Sequence, residues 1–130
     1  MKKGSSSPAV PAVPIDQAVV ELQGRGKGNV YGCAADVRQE EDCDRFVALA
    51  QEKFGAIDAL VHSAGILRPP GGRPRALHDM DEEEYDMVVA TNLRGTFMVN
   101  RAVLRVMVAQ KSGQVINISS TSGKKGRPLD

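Results

Sequence analysis

Helically spaced apolar positions alternate with short continuous apolar runs along this chain. Residues 15–23, IDQAVVELQ, are apolar at Ile15, Val19 and Leu22, the spacing of one helix face. Pro14 suits the opening of such a helix and Gly24 its end. GRGKGN at 24–29 reads as a loop, and VYGCAADV at 30–37 as a short buried strand. The next stretch, QEEDCDRFVALAQEKFG, predicts an amphipathic helix with Phe46, Val47, Ala50 and Phe54 on one face. Glu40, Glu41 and Asp42 suit its N-terminus, and Lys53 then Gly55 its end.

AIDALVHSAG predicts a second strand at about 57–62, and ILRPPGGRPRALHDM a long loop broken by Pro69, Pro70, Gly71 and Gly72. A long helical region follows from Asp79 or Asp81 to about Lys111, with Asp81, Glu82, Glu83 and Glu84 in its first turn. Asn92 and Gly95 interrupt it and predict a kink or a break. QVINIS is the third strand. Uninterrupted apolar strands joined by helices predict an α/β fold, a parallel sheet covered on both faces in three αβα layers. Right-handed crossovers then bring every strand's C-terminal end to one edge, where ligands of open α/β sheets bind. Asp36-Val37, Ala64-Gly65 and Ser119-Ser120 all fall at those ends.

Composition adds exclusions. The 130 residues suffice for one domain with a single core. A formal net charge of +1 gives no electrostatic footprint for nucleic acid or an acidic membrane. The absence of Trp, with three Phe and two Tyr, removes the stacking platforms of single-strand binders. Cys33 and Cys43 form neither a disulfide framework nor a metal-binding spacing, so a reduced, cytoplasmic setting is expected and no metal. No apolar run reaches membrane-spanning length. Residues 1–14, MKKGSSSPAVPAVP, read as a disordered tail, because Pro8, Pro11 and Pro14 break any apolar core a signal peptide would need. Residues 15–130 then form the folded domain.

Four pieces together resemble the short-chain dehydrogenase/reductase family: ADV at 35–37, GAIDALVHSAGI at 55–66, ATNLRGTF at 90–97 and GQVINISSTSG at 113–123. The resemblance implies an incomplete doubly wound, Rossmann-like parallel sheet that binds NAD or NADP. It implies hydride transfer to or from a carbonyl or secondary alcohol, a 3-oxoacyl thioester being one such substrate. Asp36, with the backbone of Val37, would meet the adenine end; a carboxylate accepts from an exocyclic amine. On residue type alone, Asp36 reads first as a solvated strand-end carboxylate capping the next helix. Ala64 and Gly65 would let cofactor lie against the backbone. Ser120 matches the catalytic serine, which positions the substrate oxygen. Asn92 matches the asparagine whose freed carbonyl holds a water in a proton relay.

The chain departs from the family pattern in three places. His62 and Ser63 replace two asparagines that tie the sheet together, and His62 is given no catalytic role. The family's acid is a tyrosine a dozen residues past the serine, with a lysine four further on that makes it usable near neutral pH. Neither Tyr31 nor Tyr85 is followed by Lys four residues on. The opening glycine-rich turn that binds pyrophosphate is missing too, because GRGKG precedes a strand instead of opening a helix. The expectation is a fragment, weakly active or inactive, marginal as a monomer, with a homo-oligomer expected of the full-length form. The alternative is a non-catalytic binding or regulatory subunit derived from a dehydrogenase. A flavodoxin-like domain shares the architecture, but no phosphate-binding or phospho-acceptor loop at a first strand is visible.

Overall fold

The computed structural model describes residues 15–73 and 75–124. The tail expected over 1–14 lies outside the described residues. The chain divides between Ala34 and Ala35 into two compact units.

In the first unit, α1 runs Ile15–Arg25 and takes Gly24 into its last turn instead of stopping before it. Gln23 Nε2 donates to Val30 O at 3.1 Å. A Cβ on Gly32 would lie 2.5 Å from Ile15 Cγ2 and 2.9 Å from Val19 Cγ2, so glycine is what lets the chain pass over α1. The strand expected at 30–37 does not form: the only sheet among the described residues has two strands, and neither is this one. An apolar run becomes a strand only when a neighbour takes up its backbone N–H and C=O groups. Among the described residues no strand pairs with this run.

In the second unit, α2 spans Glu40–Phe54, with Glu40, Glu41 and Asp42 in its first turn. It ends at Gly55, which takes φ 77° and donates its N–H to Gln51 O at 2.8 Å, a left-handed cap. Its buried line is Cys43 and Val47, with Ala50 packed alongside. Phe46 and Phe54, expected on that face, are exposed. Phe46 sits about 100° around the helix from Val47, and Phe54 is the last helical residue.

The sheet pairs β1, Ala59–His62, with β2, Gln114–Asn117, in parallel, Leu60 opposite Val115 and His62 opposite Asn117. Both strands are shorter than the apolar runs that predicted them. Between them lie α3, Glu82–Val89, a π turn over Ala90–Arg94, and α4, Gly95–Gln110. Asp81 caps α3 by accepting the Glu84 N–H at 2.8 Å. The interruption expected at Asn92 and Gly95 is that π turn, in which the Gly95 N–H reaches back to Ala90 O.

Both long helices of this unit pack on one sheet face. The core joins Cys43 and Val47 to Ile57, Leu60, Met98, Val99, Ala102, Val103 and Met107. Gln110 clasps Ile57 through both backbone groups, N–H to Oε1 and Nε2 to C=O, each at 3.0 Å, and ties the end of α4 to the entry of β1. Arg101 pairs with Glu40 and Arg105 with Asp44 across the two helices. These pairs are partly exposed and contribute little beyond orientation.

The same face buries a polar group. His62 is 5% exposed, and its Nε2 has no hydrogen-bond partner among the described residues. Beside it, Asn100 Nδ2 donates to Asn117 Oδ1 at 3.0 Å, a tie between α4 and the sheet. Burial pushes the His62 imidazole below its ordinary 6.5. The opposite face leaves Val61 61% and Ile116 49% exposed.

Three outcomes follow from this packing. Val103 is 1% exposed, so Val103→Ala should lower the unfolding free energy by about 2 kcal/mol, read as a fall in the urea midpoint. His62 binds its second proton more weakly folded than unfolded, so its contribution is full above the unfolded value and is lost as pH falls through the depressed folded value. Denaturation from about pH 7.5 down to about pH 5.5 should show falling stability that His62→Asn flattens. The open sheet face should make the chain associate as concentration rises, and Val61→Thr with Ile116→Thr should weaken that association in sedimentation velocity.

Candidate functional site

Parallel register brings the ends of β1 and β2 to one edge. The Ile118 N–H donates to His62 O at 2.9 Å and carries the ladder one step past the paired strands. Beyond that step, Ser63, Ala64 and Gly65 leave one strand and Ser119 and Ser120 the other, all exposed. Ser120 heads a tight turn: its carbonyl accepts the Gly123 N–H at 3.2 Å, and residues Thr121–Gly123 form a 3-10 turn.

Asn92 binds this edge to the helix. Its Nδ2 donates to Ile66 O and its Oδ1 accepts from Ile66 N, both at 2.8 Å, so one amide satisfies a loop residue as a neighbouring strand would. A Cβ on Gly65 would lie 3.3 Å from Asn92 Oδ1, tighter than ordinary contact, so a small residue fits best there. The Asn92 carbonyl accepts the Thr96 hydroxyl at 2.6 Å and keeps a second lone pair for the expected water. The π turn does disturb the helical ladder, and a side chain one turn on takes up the carbonyl.

Val37 comes to the same helix from the other direction. It packs against the core, and a Cβ on Gly95 would lie 2.6 Å from Val37 Cγ2. Only glycine permits that approach. Asp36 next to it does not cap α2 with its side chain; Gln39 is the N-cap and has no side-chain cap bond. Instead the Asp36 carboxylate accepts from Arg38: backbone N–H to Oδ1 at 2.9 Å, Nε to Oδ1 and Oδ2 at 2.9 and 3.0 Å, and Nη2 to Oδ2 at 2.6 Å. These bonds, above all those from the Arg38 side chain, hold the Asp36 carboxyl below the usual carboxylate range.

The structure therefore brings Gly65 against Asn92 and seats Val37 one helical step further along, at Gly95. Ala64 adjoins this group in the chain, as does Asp36, and Ser120 follows the neighbouring strand end. His62 points under α4 and away from it. Sequence reasoning missed Arg38, Thr96, Gln110 and the Asn100–Asn117 tie. Only Arg38 carried a local signal, a cation two residues from a carboxylate in a turn. A shallow apolar groove runs along the outer face of α4 past Leu93, Phe97, Leu104 and Val108, and none of the six expected site residues lines it. Among the described residues, no helix is long and apolar enough to cross a membrane.

The model of the short chain dehydrogenase family matches residues 9–129. A 3-oxoacyl-[acyl-carrier-protein] reductase of Synechocystis is 35% identical over 113 residues, 87% of this chain and 43% of that protein. The 3-oxoacyl-[acyl-carrier-protein] reductase FabG of Thermotoga maritima is 34% identical over 88% of this chain and 44% of its own length. Among solved structures, an NAD+-bound xylitol dehydrogenase superposes with a TM-score of 0.78 at 29% identity, over 88% of this chain and 42% of that one. Levodione reductase does so with a TM-score of 0.73 at 34% identity, over 86% and 41%. The chain spans less than half the length of the relatives it matches. Since the matched span contains the parallel strand pair, the helix that a π turn interrupts and the asparagine clasp on Ile66, the chain belongs to the short-chain dehydrogenase family.

Proposed function

We propose that this chain is part of an oxidoreductase that transfers hydride between NAD(P)(H) and a carbonyl or secondary alcohol, with a 3-oxoacyl thioester among its candidate substrates. One observation carries the reading: the Gly65–Asn92 contact and the Val37–Gly95 contact fall on one interrupted helix, at the edge where the Ser120 strand ends. Two further observations bear on whether a dinucleotide fits. Asp36 has a partly exposed, ionised carboxylate, able to accept from the adenine amine. Ala64 and Gly65 are small and exposed, so a ligand can lie on the backbone there. The described residues include no glycine-rich turn opening a helix for the pyrophosphate.

A bound nicotinamide ring would supply or accept the hydride. Ser120 would hold the substrate oxygen by its hydroxyl, a group too weak an acid to give up a proton itself. Asn92 would keep Ile66 and the loop after Gly65 in place while its helix supports the relay. Asp36, Val37, Ala64 and Gly65 would seat the cofactor. Cys33 and Cys43 are free, which suits a reducing cytoplasmic setting.

A second reading, a binding or regulatory subunit derived from a dehydrogenase, draws on the outer face of α4. Leu93 and Phe97 are 70% and 57% exposed there, which suits a contact in an oligomer of the full-length form.

The two readings differ in turnover. Alone, the chain should oxidise NAD(P)H with a panel of ketones at a rate on the order of 10² or more below a relative that has its general acid. Grafted in place of the matched span of the Thermotoga maritima reductase, it should restore 3-oxoacyl thioester reduction. Ser120→Ala in that chimera should cost on the order of 10² to 10³ in rate. A folded chimera without turnover favours the binding subunit, and turnover indifferent to Ser120→Ala removes Ser120 from the reaction.

A further inference from the structure

Two buried atoms beneath α4 have complementary needs. His62 is 5% exposed, and its Nε2 is shut away from solvent with no hydrogen-bond partner among the described residues. Asn100 Oδ1 is in the same condition. Burying a polar atom without a partner is costly, so each needs one. The two belong to one patch of the molecule. His62 is in register with Asn117, so their side chains rise from neighbouring strands on the same sheet face. Asn117 Oδ1 accepts from Asn100 Nδ2 at 3.0 Å, which brings the orphaned Asn100 oxygen over that face, beside the imidazole. His62 and Asn100 make no hydrogen bond with each other.

A neutral imidazole protonated at Nε2 is a donor there, and an amide oxygen is an acceptor. A water molecule suits both: it accepts from Nε2–H and donates to Asn100 Oδ1. Its second hydrogen can go to Asn117 Oδ1, which keeps a lone pair beyond the one Asn100 uses. That makes about three bonds, the usual complement of a buried water. The place of this link matters. His62 stands three residues before Gly65, and Asn117 three before Ser120. Asn100 lies on α4, the helix that follows the π turn holding Asn92. The His62 carbonyl accepts the Ile118 N–H, the rung after which the two segments part.

We propose that His62, in its Nε2–H form, and Asn100 hold one buried water between them, and that this bridge is a positioning element that fixes where the Gly65 and Ser120 segments leave the sheet. The bridge gives the buried imidazole a use that packing alone would not. An imidazole that only filled space would be replaceable by phenylalanine without loosening the strand end. One that completes a link to α4 would not.

The test uses the full 130-residue chain, isotope-labelled at its two histidines, with His78→Gln to assign the signals. In nuclear magnetic resonance at about pH 7.5, where a buried imidazole is neutral, the His62 ring should carry its proton on Nε2. That proton should show a cross-peak to a long-lived water. A ring without a proton on Nε2, or an Nε2–H without that water, overturns the bridge. Amide exchange then tests the positioning role, with the Ile118 N–H as reporter and the Ile57 N–H, held by Gln110 at the entry of β1, as the control. His62→Phe keeps a ring and removes the donor, and should speed exchange at Ile118 on the order of tenfold relative to Ile57, the worth of one hydrogen bond. His62→Gln, whose amide nitrogen reaches as far as Nε2, should restore the protection. His62→Asn, which reaches only as far as Nδ1, should not. Equal acceleration at both amides, or protection of Ile118 indifferent to His62→Phe, makes His62 a packing residue and overturns the positioning role. The wild-type ring signals decide the bridge even where a variant fails to fold.

Discussion

Parallel pairing of Ala59–His62 with Gln114–Asn117 is the constraint from which the second unit follows. Two parallel strands cannot be joined by a tight turn; the chain must travel back along the sheet before it pairs again. Here the return is α3, the π turn and α4, and α4 supplies more than half of the buried core. Leu60 and His62 turn inward beneath it, while Val61 turns out. The crossover that makes the pairing possible also decides which residues the sheet buries. It returns both strand ends to the edge where Gly65 and Ser120 emerge.

The π turn at Ala90–Arg94 connects that packing to the candidate chemistry. An uninterrupted helix would keep its polar groups to itself. One wide turn presents Asn92 to Ile66 and leaves its carbonyl to the Thr96 hydroxyl. The next residue to matter, Gly95, gives up a side chain so that Val37 can approach. Recognition of the loop after β1 and seating of the segment after Asp36 thus depend on neighbouring positions of one helix. A bulky residue at Gly95 would meet Val37, and loss of the Asn92 amide would leave two backbone groups of Ile66 without their partner.

His62 shows how a departure from the family pattern is absorbed. Asparagine at that position would be expected to tie the sheet by hydrogen bonds. The imidazole instead lies buried beside a tie that Asn100 makes to Asn117 on the neighbouring strand. Its depressed basicity follows from burial, and its neutral form is the one the core tolerates.

Helical spacing and end signals were legible in the chain itself. Ile15, Val19 and Leu22, the acidic first turns at Glu40 and Glu82, the Gly55 cap and the break near Asn92 all correspond to elements of the structure. A helix closes its hydrogen bonds within one segment, so local sequence determines it. The run at 30–37 was not decided locally, because a strand depends on what lies beside it. The same holds at the site. Asp36, Asn92 and Ser120 could be named from motifs, but the partners that define their chemistry come from the fold: Ile66, 26 residues from Asn92, and Val37 against Gly95. Sequence fixed which groups were available; tertiary packing decided which of them meet, because hydrogen bonds and van der Waals contacts act across space and take no account of separation along the chain.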